Sequence, residues 1–421
     1  MIETTILSPG VTLRCCRDSR FKQGCLSLQL VQPMQAETAA MNALLPSVLL
    51  RGTRRCPDLR AITQHLDELY GAAVSPLVRR IGDYQTTGLF CGFMDDRFAL
   101  PGDRVLEPMI AFLEELLLDS PLEDEGFLPS FVESEKKNLI ATIESELNDK
   151  RVYALNQLLR AMCKNDTFGL PRLGTVEEVA AIDPQKLLSH YRRILKTSPM
   201  EIFYVGSAQP ETLVGLLRPM LAKLSREVSP MAVQTGLRGC ESADLVQTMD
   251  VSQGKLCMGF VTPITNRSPE FPAMQLMNTI LGAGMTSKLF VNVREKMSLC
   301  YSIGSGYYGS KGIVTVSAGI DFDKEAQVKQ EVLHQLDACR EGDITPAELN
   351  AAREALVNSL RSTNDSPGAI EGYYATAALS GLGMTPEEYI DKLWDVTVED
   401  VVAAARQLTL HSTYFLKGAD Q

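Results

Sequence analysis

The chain has 421 residues, of which 45% are hydrophobic and 22% charged, and its formal net charge is −11. This length allows about two to four domains with large cores, and the composition is that of a globular protein. The acidic balance argues against a nucleic-acid-binding protein, because no surplus of basic side chains exists to displace counterions from phosphates.

The chain also lacks the sequence signals of a membrane or secreted protein. No apolar run approaches the roughly 20 residues that a membrane helix needs, and the first ten residues lack a basic stretch leading into a signal core. We therefore predict a cytoplasmic protein without a membrane partner. The ten cysteines include no Cys-x-x-Cys and indicate small buried side chains rather than a disulfide framework.

The first part of the chain alternates between strand and helix patterns. Residues 11–17 and 25–31 are apolar or alternating and flank a turn, which favours a β-hairpin. Asp58 follows Pro57 and is predicted to cap a helix. The remaining predicted elements are helices at 38–50, 58–70 and 105–118 and strands at 73–80 and 84–93.

The next block is predicted to be mainly helical. Residues 127–163 form a helical pattern that is interrupted at Asn148-Asp149, and a helix at 184–194 leads into a strand at 200–205. Two of these landmarks recur later in the chain. Asn364-Asp365 follows Asn148-Asp149 by 216 residues, and Val398-Glu399-Asp400 follows Asp183-Pro184-Gln185 by 215 residues.

Two nearly equal offsets indicate the duplication of one α+β unit of about 200 residues. We predict an N-terminal domain at 1–225 and a homologous C-terminal domain at 240–421. The linker at 226–239 contains Ser229-Pro230, Gly236 and Gly239, which interrupt the apolar periodicity.

A distinctive stretch lies in the second half, at 281–302. Gly282 and Gly284 allow a tight turn, and apolar residues at helical spacing then predict a short amphipathic helix that ends in Arg294-Glu295-Lys296. A strand is predicted at 299–303, broken by Gly304-Ser305-Gly306, with another strand at 313–318.

This stretch resembles the second-half signature of the insulinase/pitrilysin family of zinc peptidases, in which Arg-Glu-Lys is followed by Leu-x-Tyr. The resemblance implies an α+β fold of two homologous domains, each a mostly antiparallel β-sheet backed by α-helices, as in mitochondrial processing peptidase, arranged as a clamshell. It also implies that Arg294 and Tyr301 hold a substrate peptide. Gly282 to Gly284 would be the Gly-rich element of some members, although it is shorter here.

The zinc motif of that family is missing. Family enzymes have His-x-x-Glu-His before an Arg/Lys-Gly-Thr turn, because histidines at i and i+4 share one helical face and the Glu acts on the bound water. Here Arg51-Gly52-Thr53 follows Ala43-Leu44-Leu45-Pro46-Ser47. Ala43 and Pro46 cannot bind zinc, and Ser47 is a poor ligand.

No other residues restore a metal site in the sequence. Glu133 matches the third zinc ligand of the family, but without partners it is predicted to be a remnant on a solvated helical face. None of the four histidines lies within one helical turn of another, and His65 is predicted to be solvated. Cys300 lacks a nearby His and is predicted to be a buried thiol. We therefore predict neither a bound metal nor another cofactor.

The main hypothesis follows from this asymmetry. Some family members are two-chain enzymes in which one chain carries zinc and the other contacts the substrate, and this chain resembles the second kind. Its partners would be a zinc-bearing homologous peptidase subunit and a peptide substrate. Without the resemblance, residues 294–296 would be an exposed helix end and Tyr301 a core residue.

Two alternatives remain open at this point. The chain could be a self-associating peptide-binding or scaffold protein, present as a homodimer without an enzymatic partner. It could also be an active peptidase with an unforeseen metal site, for which stoichiometric zinc in the purified protein would be the evidence.

Overall fold

The computed structural model describes residues 2–146, 148–239 and 241–419. The strands, in chain order, are β1 (Ile2–Ser8), β2 (Val11–Arg17), β3 (Gln23–Pro33), β4 (Ala73–Ile81), β5 (Tyr84–Met94), β6 (Leu122–Glu123), β7 (Gly126–Phe127), β8 (Met200–Gly206), β9 (Asp244–Met249), β10 (Gly254–Val261), β11 (Ser302–Tyr308), β12 (Ile313–Ile320) and β13 (Thr409–Gly418).

The helices complete the α+β architecture. They are α1 (Ala36–Leu49), α2 (Leu59–Glu68), α3 (Leu106–Leu118), α4 (Pro129–Ser145), α5 (Lys150–Met162), α6 (Val176–Ala180), α7 (Pro184–Thr197), α8 (Pro210–Ala222), α9 (Phe271–Leu281), α10 (Glu325–Glu341), α11 (Pro346–Ser362), α12 (Pro367–Ser380), α13 (Pro386–Asp395) and α14 (Val398–Arg406), with a π-helix at Leu289–Lys296. The predicted cap of α2 is confirmed, because the Asp58 carboxylate accepts a hydrogen bond from the Ala61 amide (2.8 Å).

The chain forms two compact units. The first unit comprises Met1–Glu144, Pro171–Ala232 and Asn364–Thr376, and the second comprises Ser145–Leu170, Val233–Thr363 and Ala377–Gln421. The chain passes from the first unit to the second at Ala232, inside the predicted linker, where the described residues form no helix or strand.

The units nevertheless differ from the predicted domains, because each half of the chain lends one segment to the other unit. Ser145–Leu170 belongs to the second unit and Asn364–Thr376 to the first. Both segments begin at or just before the repeated Asn-Asp landmarks. The predicted start of the second domain, residue 240, lies outside the described residues.

The first unit contains a six-stranded sheet in the order β1-β2-β8-β3-β5-β4. Its strands are antiparallel except for the parallel pair β2 and β8. The predicted hairpin of 11–17 with 25–31 is wrong, because β8 lies between β2 and β3 and pairs with both. The hairpin partner of β2 is β1, for which no strand was predicted.

Each face of this sheet is covered by a different part of the chain. Leu26, Leu28 and Leu30 of β3 lie in the large apolar core with residues of α1, α3, α7 and α8. The alternate residue Cys25 lies on the other face, in a small cluster with Cys16, Val205 and Ile370 of α12. Thus the lent segment Asn364–Thr376 covers the second face.

The second unit repeats this design in a five-stranded sheet of order β11-β12-β10-β13-β9. Its pairings match those of β4-β5-β3-β8-β2 in order and direction, including one parallel pair, β9 with β13. This agreement supports the predicted duplication of one α+β unit.

The second sheet is also covered on both faces. The buried helix α9 packs against β11 and the helices α10, α11, α13 and α14. The lent helix α5 packs on the opposite face, where Ala154, Leu158 and Met162 join Cys257 and Tyr414 in one apolar cluster. The prediction that Gly304-Ser305-Gly306 ends a strand is wrong, because these residues lie within β11 and pair with β12.

None of the helices in the described part of the chain combines the length and apolar character needed to cross a membrane.

Candidate functional site

The helix that should carry the zinc motif is intact but has no metal ligands at the motif positions. Ala43, Pro46 and Ser47 all lie in α1, with Ala43 and Pro46 buried and Ser47 half-buried. No group of three or more His, Cys, Asp or Glu side chains suited to a metal occurs in residues 2–146, 148–239 and 241–419.

Pro46 is tolerated in this helix because a side chain replaces the hydrogen bond that it removes. Proline has no amide proton, so the carbonyl of Asn42 loses its partner one turn later. The Thr87 hydroxyl of β5 donates to that carbonyl (2.7 Å). The position of the lost general base is thus stabilised as an ordinary part of the core.

A neutral hydrogen-bond network surrounds this turn of α1. The Asn42 amide donates to Gln85 Oε1 (2.9 Å), and the Asn42 side-chain oxygen contacts His190 Nε2 (2.7 Å). Arg193 donates to His190 Nδ1 (3.0 Å), which assigns the proton of the neutral ring to Nε2. Burial, with Arg193 second, lowers the pKa of His190 to about 4, so the ring is uncharged at neutral pH.

Glu133 occupies a solvent-facing position on α4. Its side chain is 56% exposed and pairs with Lys136 (2.8 Å). The buried carboxylate of this helix is Glu135, which pairs with Arg51 (3.3 Å). Glu133 therefore has the surroundings that the sequence predicted for it, those of a surface charge.

Two further residues considered from the sequence are packed rather than reactive. His65, predicted to be solvated, instead lies edge-on against Phe112 with ring centres 4.6 Å apart, and burial lowers its pKa. Cys300 is buried, and burial raises its pKa to about 11, so it is not a thiolate nucleophile at neutral pH.

Arg294 lies in the last turn of the π-helix in the second unit. A π-helix of this length is rare and such distortions often mark functional sites. Its guanidinium is partly exposed and lies 4.7 Å from the centre of the Phe290 ring. It also pairs with Glu295 (3.1 Å) and donates to the backbone carbonyl of Tyr301 (3.0 Å).

Arg294 and Tyr301 are therefore adjacent. Between them, Ser298 has a φ of 51°, the left-handed conformation that costs free energy for residues other than glycine. The Tyr301 side chain is 61% exposed, and its hydroxyl donates to the Asp321 carboxylate (3.0 Å), which raises the pKa of the phenol. This surface offers a guanidinium and a phenol that can exchange exposed partners for a peptide.

Asp321 was missed by the sequence reasoning. It follows β12, whose register places Gly319 opposite Ser302, the residue after Tyr301. The signal that could have found it is this strand pairing, because neither composition nor helical periodicity identifies the neighbour of Tyr301.

The Gly-rich turn at Gly282 to Gly284 packs against the sheet. The Gly282 carbonyl accepts a hydrogen bond from the Ser305 amide of β11 (3.0 Å). A Cβ at Gly282 would lie 2.7 Å from Ser305 Oγ, so only glycine allows this approach. The structural role of Gly282 is to place the turn beside β11.

Comparison with known proteins gives consistent similarities. Residues 181–356 match the family model described as "Peptidase M16 inactive domain". The "Probable inactive metalloprotease YmfF" of Bacillus subtilis is 27% identical over 411 residues, which cover 98% of this chain and 96% of that protein. The "Uncharacterized zinc protease YmxG" of the same organism is 26% identical and is matched over 68% of this chain and 71% of its own length.

A solved structure is similar over the whole length. A conserved protein from Enterococcus faecalis superposes with a TM-score of 0.93 at 26% identity, covering 100% of this chain and 99% of that chain. The matched family segment 181–356 includes both Arg294 and Tyr301.

Proposed function

Because this chain belongs to the insulinase/pitrilysin family of zinc peptidases (peptidase M16) and lacks the zinc-binding residues of its motif, we propose that it is the non-catalytic subunit of a two-chain zinc metallopeptidase. A homologous subunit with an intact His-x-x-Glu-His supplies the zinc and the general base. This chain supplies contacts to the peptide substrate. The cytoplasmic location predicted from the sequence is part of this proposal.

One observation supports this function above all others. The motif helix of the first unit has neutral residues at Ala43, Pro46 and Ser47, whereas Arg294 and Tyr301 of the second unit remain adjacent and exposed. Selection for stability alone would not require an exposed tyrosine on a strained turn. A retained peptide contact explains why the second half keeps these groups while the first half has lost its chemistry.

The proposed roles follow from the chemistry of peptide hydrolysis. Attack on a peptide bond builds negative charge on its carbonyl oxygen, and positioned donors stabilise that charge. The Arg294 guanidinium has several N–H donors, of which one is used by the Tyr301 carbonyl. The Tyr301 hydroxyl can leave Asp321 and donate to the substrate, because both groups face solvent.

Substitution of the two residues tests this assignment. In a complex with the zinc-bearing homologue that co-purifies with this chain, Arg294→Ala should lower kcat/KM for a fluorogenic peptide by about 100-fold and Tyr301→Phe by about 10-fold. Lys296→Ala is the matched control on the same helix, since its ammonium contacts only Asn292 among the described residues. Unchanged turnover in both variant complexes, with unchanged melting temperatures, would refute the roles of Arg294 and Tyr301.

A further inference from the structure

The second unit contains a cavity of about 330 Å³ on the sheet face that α5 partly covers. Its lining includes Arg151 of α5, Lys255 of β10, Ser302, Gly304 and Gly306 of β11, and Ser317 of β12. Tyr301 immediately precedes Ser302, so the cavity begins where the exposed Arg294 and Tyr301 pair ends.

The cavity exists because one face of β11 and β12 is lined by small residues. The register places Gly304 opposite Ser317 and Gly306 opposite Thr315. A Cβ at Gly304 would meet only the Gly282 carbonyl oxygen at 3.5 Å, and one at Gly306 only Thr315 Oγ1 at 3.6 Å. Both are ordinary contact distances, so neither glycine is required for packing or for a special backbone angle.

The corresponding face of the first unit is filled. Glu371 of α12 follows Leu155 of α5 by the repeat offset of 216 residues and is completely buried. Arg79 of β4, the strand equivalent to β11, binds it through both guanidinium nitrogens (3.0 and 2.6 Å), and Ser27 and Gln29 donate to the same carboxylate. A carboxylate on basic and polar partners therefore occupies the place that is open in the second unit.

The charges at the cavity favour an anion. Arg151 and Lys255 both line it, and none of its lining residues among those described is acidic. Lys255 donates to Gln253, and Arg151 pairs with the exposed Asp149 (3.1 Å). Burial and then the neighbouring Arg151 lower the pKa of Lys255, which means that a negative group placed between the two cations would stabilise both.

We propose that this cavity binds a carboxylate of an extended peptide, so that the chain prefers peptides with an acidic side chain or a free C-terminus at this point. The carboxylate would lie between Arg151 and Lys255, with the hydroxyls of Ser302 and Ser317 as further donors. The choice of a peptide as ligand rests on the proposed function and on the continuity of β11 with Tyr301. The carboxylate preference rests on the cavity itself.

Binding to the isolated chain tests this proposal. Three fluorescein-labelled peptides of Gly, Ser and Val would be compared by fluorescence anisotropy at low salt: one with a central Glu and an amidated C-terminus, one with Gln in its place, and the Gln peptide with a free C-terminal carboxylate. We expect the Glu peptide, the free-carboxylate peptide or both to bind about tenfold more tightly than the neutral one. Added salt should reduce the difference.

Variants of the cavity identify the site. The double substitution Lys255→Met with Arg151→Gln should remove the preference, and Gly304→Val should weaken binding of all three peptides by filling the space. Gly92→Val in β5 is the matched control, because a Cβ there meets no atom within 4 Å. Equal affinity for the three peptides, or a preference that survives both cavity variants, would overturn the proposal.

This assay is independent of the proposed two-chain enzyme. It uses no zinc-bearing subunit, so a lack of carboxylate preference would leave assembly with that subunit untouched. Conversely, failure of the two chains to assemble would leave a measured carboxylate preference in place.

Discussion

Arg294 and Tyr301 are presented by a backbone that is costly to form. The Met297 amide donates to the Asn292 carbonyl, five residues earlier, and Ser298 then turns through a left-handed conformation before β11 begins. This path brings the Arg294 guanidinium onto the Tyr301 carbonyl. Strain of this kind persists where the surrounding structure fixes it, and here it orients two exposed donors.

The buried His190 makes stability depend on pH. Its pKa falls from 6.5 in the unfolded chain to about 4 in the fold, because burial and Arg193 disfavour the charged ring. The stabilisation that depends on the neutral ring is complete above pH 6.5 and is lost as the pH falls toward 4. Urea unfolding of the wild type should therefore show a loss on the order of 3 kcal/mol across this window from this group.

His190→Gln should flatten this pH dependence, since glutamine does not titrate. His334→Gln is the control, because the His334 side chain is 70% exposed. The same pH slope in the wild type and in His190→Gln would contradict the role given to His190.

At the residue scale, the sequence predicted types of environment better than partners. Arg294, Tyr301 and Cys300 could be singled out because they stand in a recognisable order along the chain. Asp321 could not, because its approach to Tyr301 depends on the register of β11 with β12. His65 was misjudged because a polar helix face conceals the contact of its ring with Phe112.

Among the elements, α1 has changed most in role. The helix that carries metal ligands in the family enzymes is here part of the core, and ten of its residues are buried. Its interior proline is compatible with a regular helix because Thr87 of the neighbouring strand satisfies the Asn42 carbonyl.

Replacing Thr87 by valine should therefore destabilise the protein by about 1 to 3 kcal/mol, since it leaves a buried carbonyl without a donor. Chemical unfolding at pH 7 measures this loss. Thr86→Val is the neighbouring control, because the buried Thr86 hydroxyl has no hydrogen-bond partner within the described residues and its removal should be neutral or stabilising.

A double-mutant cycle separates this explanation from simple packing. In a Pro46→Ala background the restored amide of residue 46 can bond the Asn42 carbonyl, so Thr87→Val should cost less there. An equal cost in both backgrounds would show that the hydroxyl does not replace the missing amide.

Local patterns predicted most helices and strands but not how the strands pair. Alternation predicted β2 and β3 correctly, yet their apparent hairpin is split by β8, which arrives from residues 200–206. Glycines suggested a strand break at 304–306, whereas the chain uses them to leave space on one face of β11. Pairing and cavity formation depend on distant segments, which a local pattern does not contain.

In the whole chain, duplication and exchange of segments are linked. Each sheet has one face covered by its own half of the chain and the other face covered by a segment that begins near an Asn-Asp pair. The equal offset between these pairs predicted the duplication. It could not predict the exchange, because an apolar helix face such as that of α5 fits either of two homologous sheets.

The two units have since diverged in complementary ways. The first lost its metal ligands and filled the face beside α12 with Arg79 and Glu371. The second kept an exposed Arg294 and Tyr301 next to an open, positively charged cavity. This division is what a subunit specialised for holding peptides requires, and it assigns the cleavage step to another chain.

The central claim is tested most directly by the cleavage rate of a fluorogenic peptide in an equimolar mixture of this chain and its co-purifying zinc-bearing homologue. The account predicts that this chain alone neither cleaves the peptide nor retains stoichiometric zinc, and that the mixture cleaves it faster than the sum of the two separate proteins. Zinc-dependent cleavage by this chain alone, or a homologue whose rate is unchanged by a chain that associates only with itself, would contradict the account.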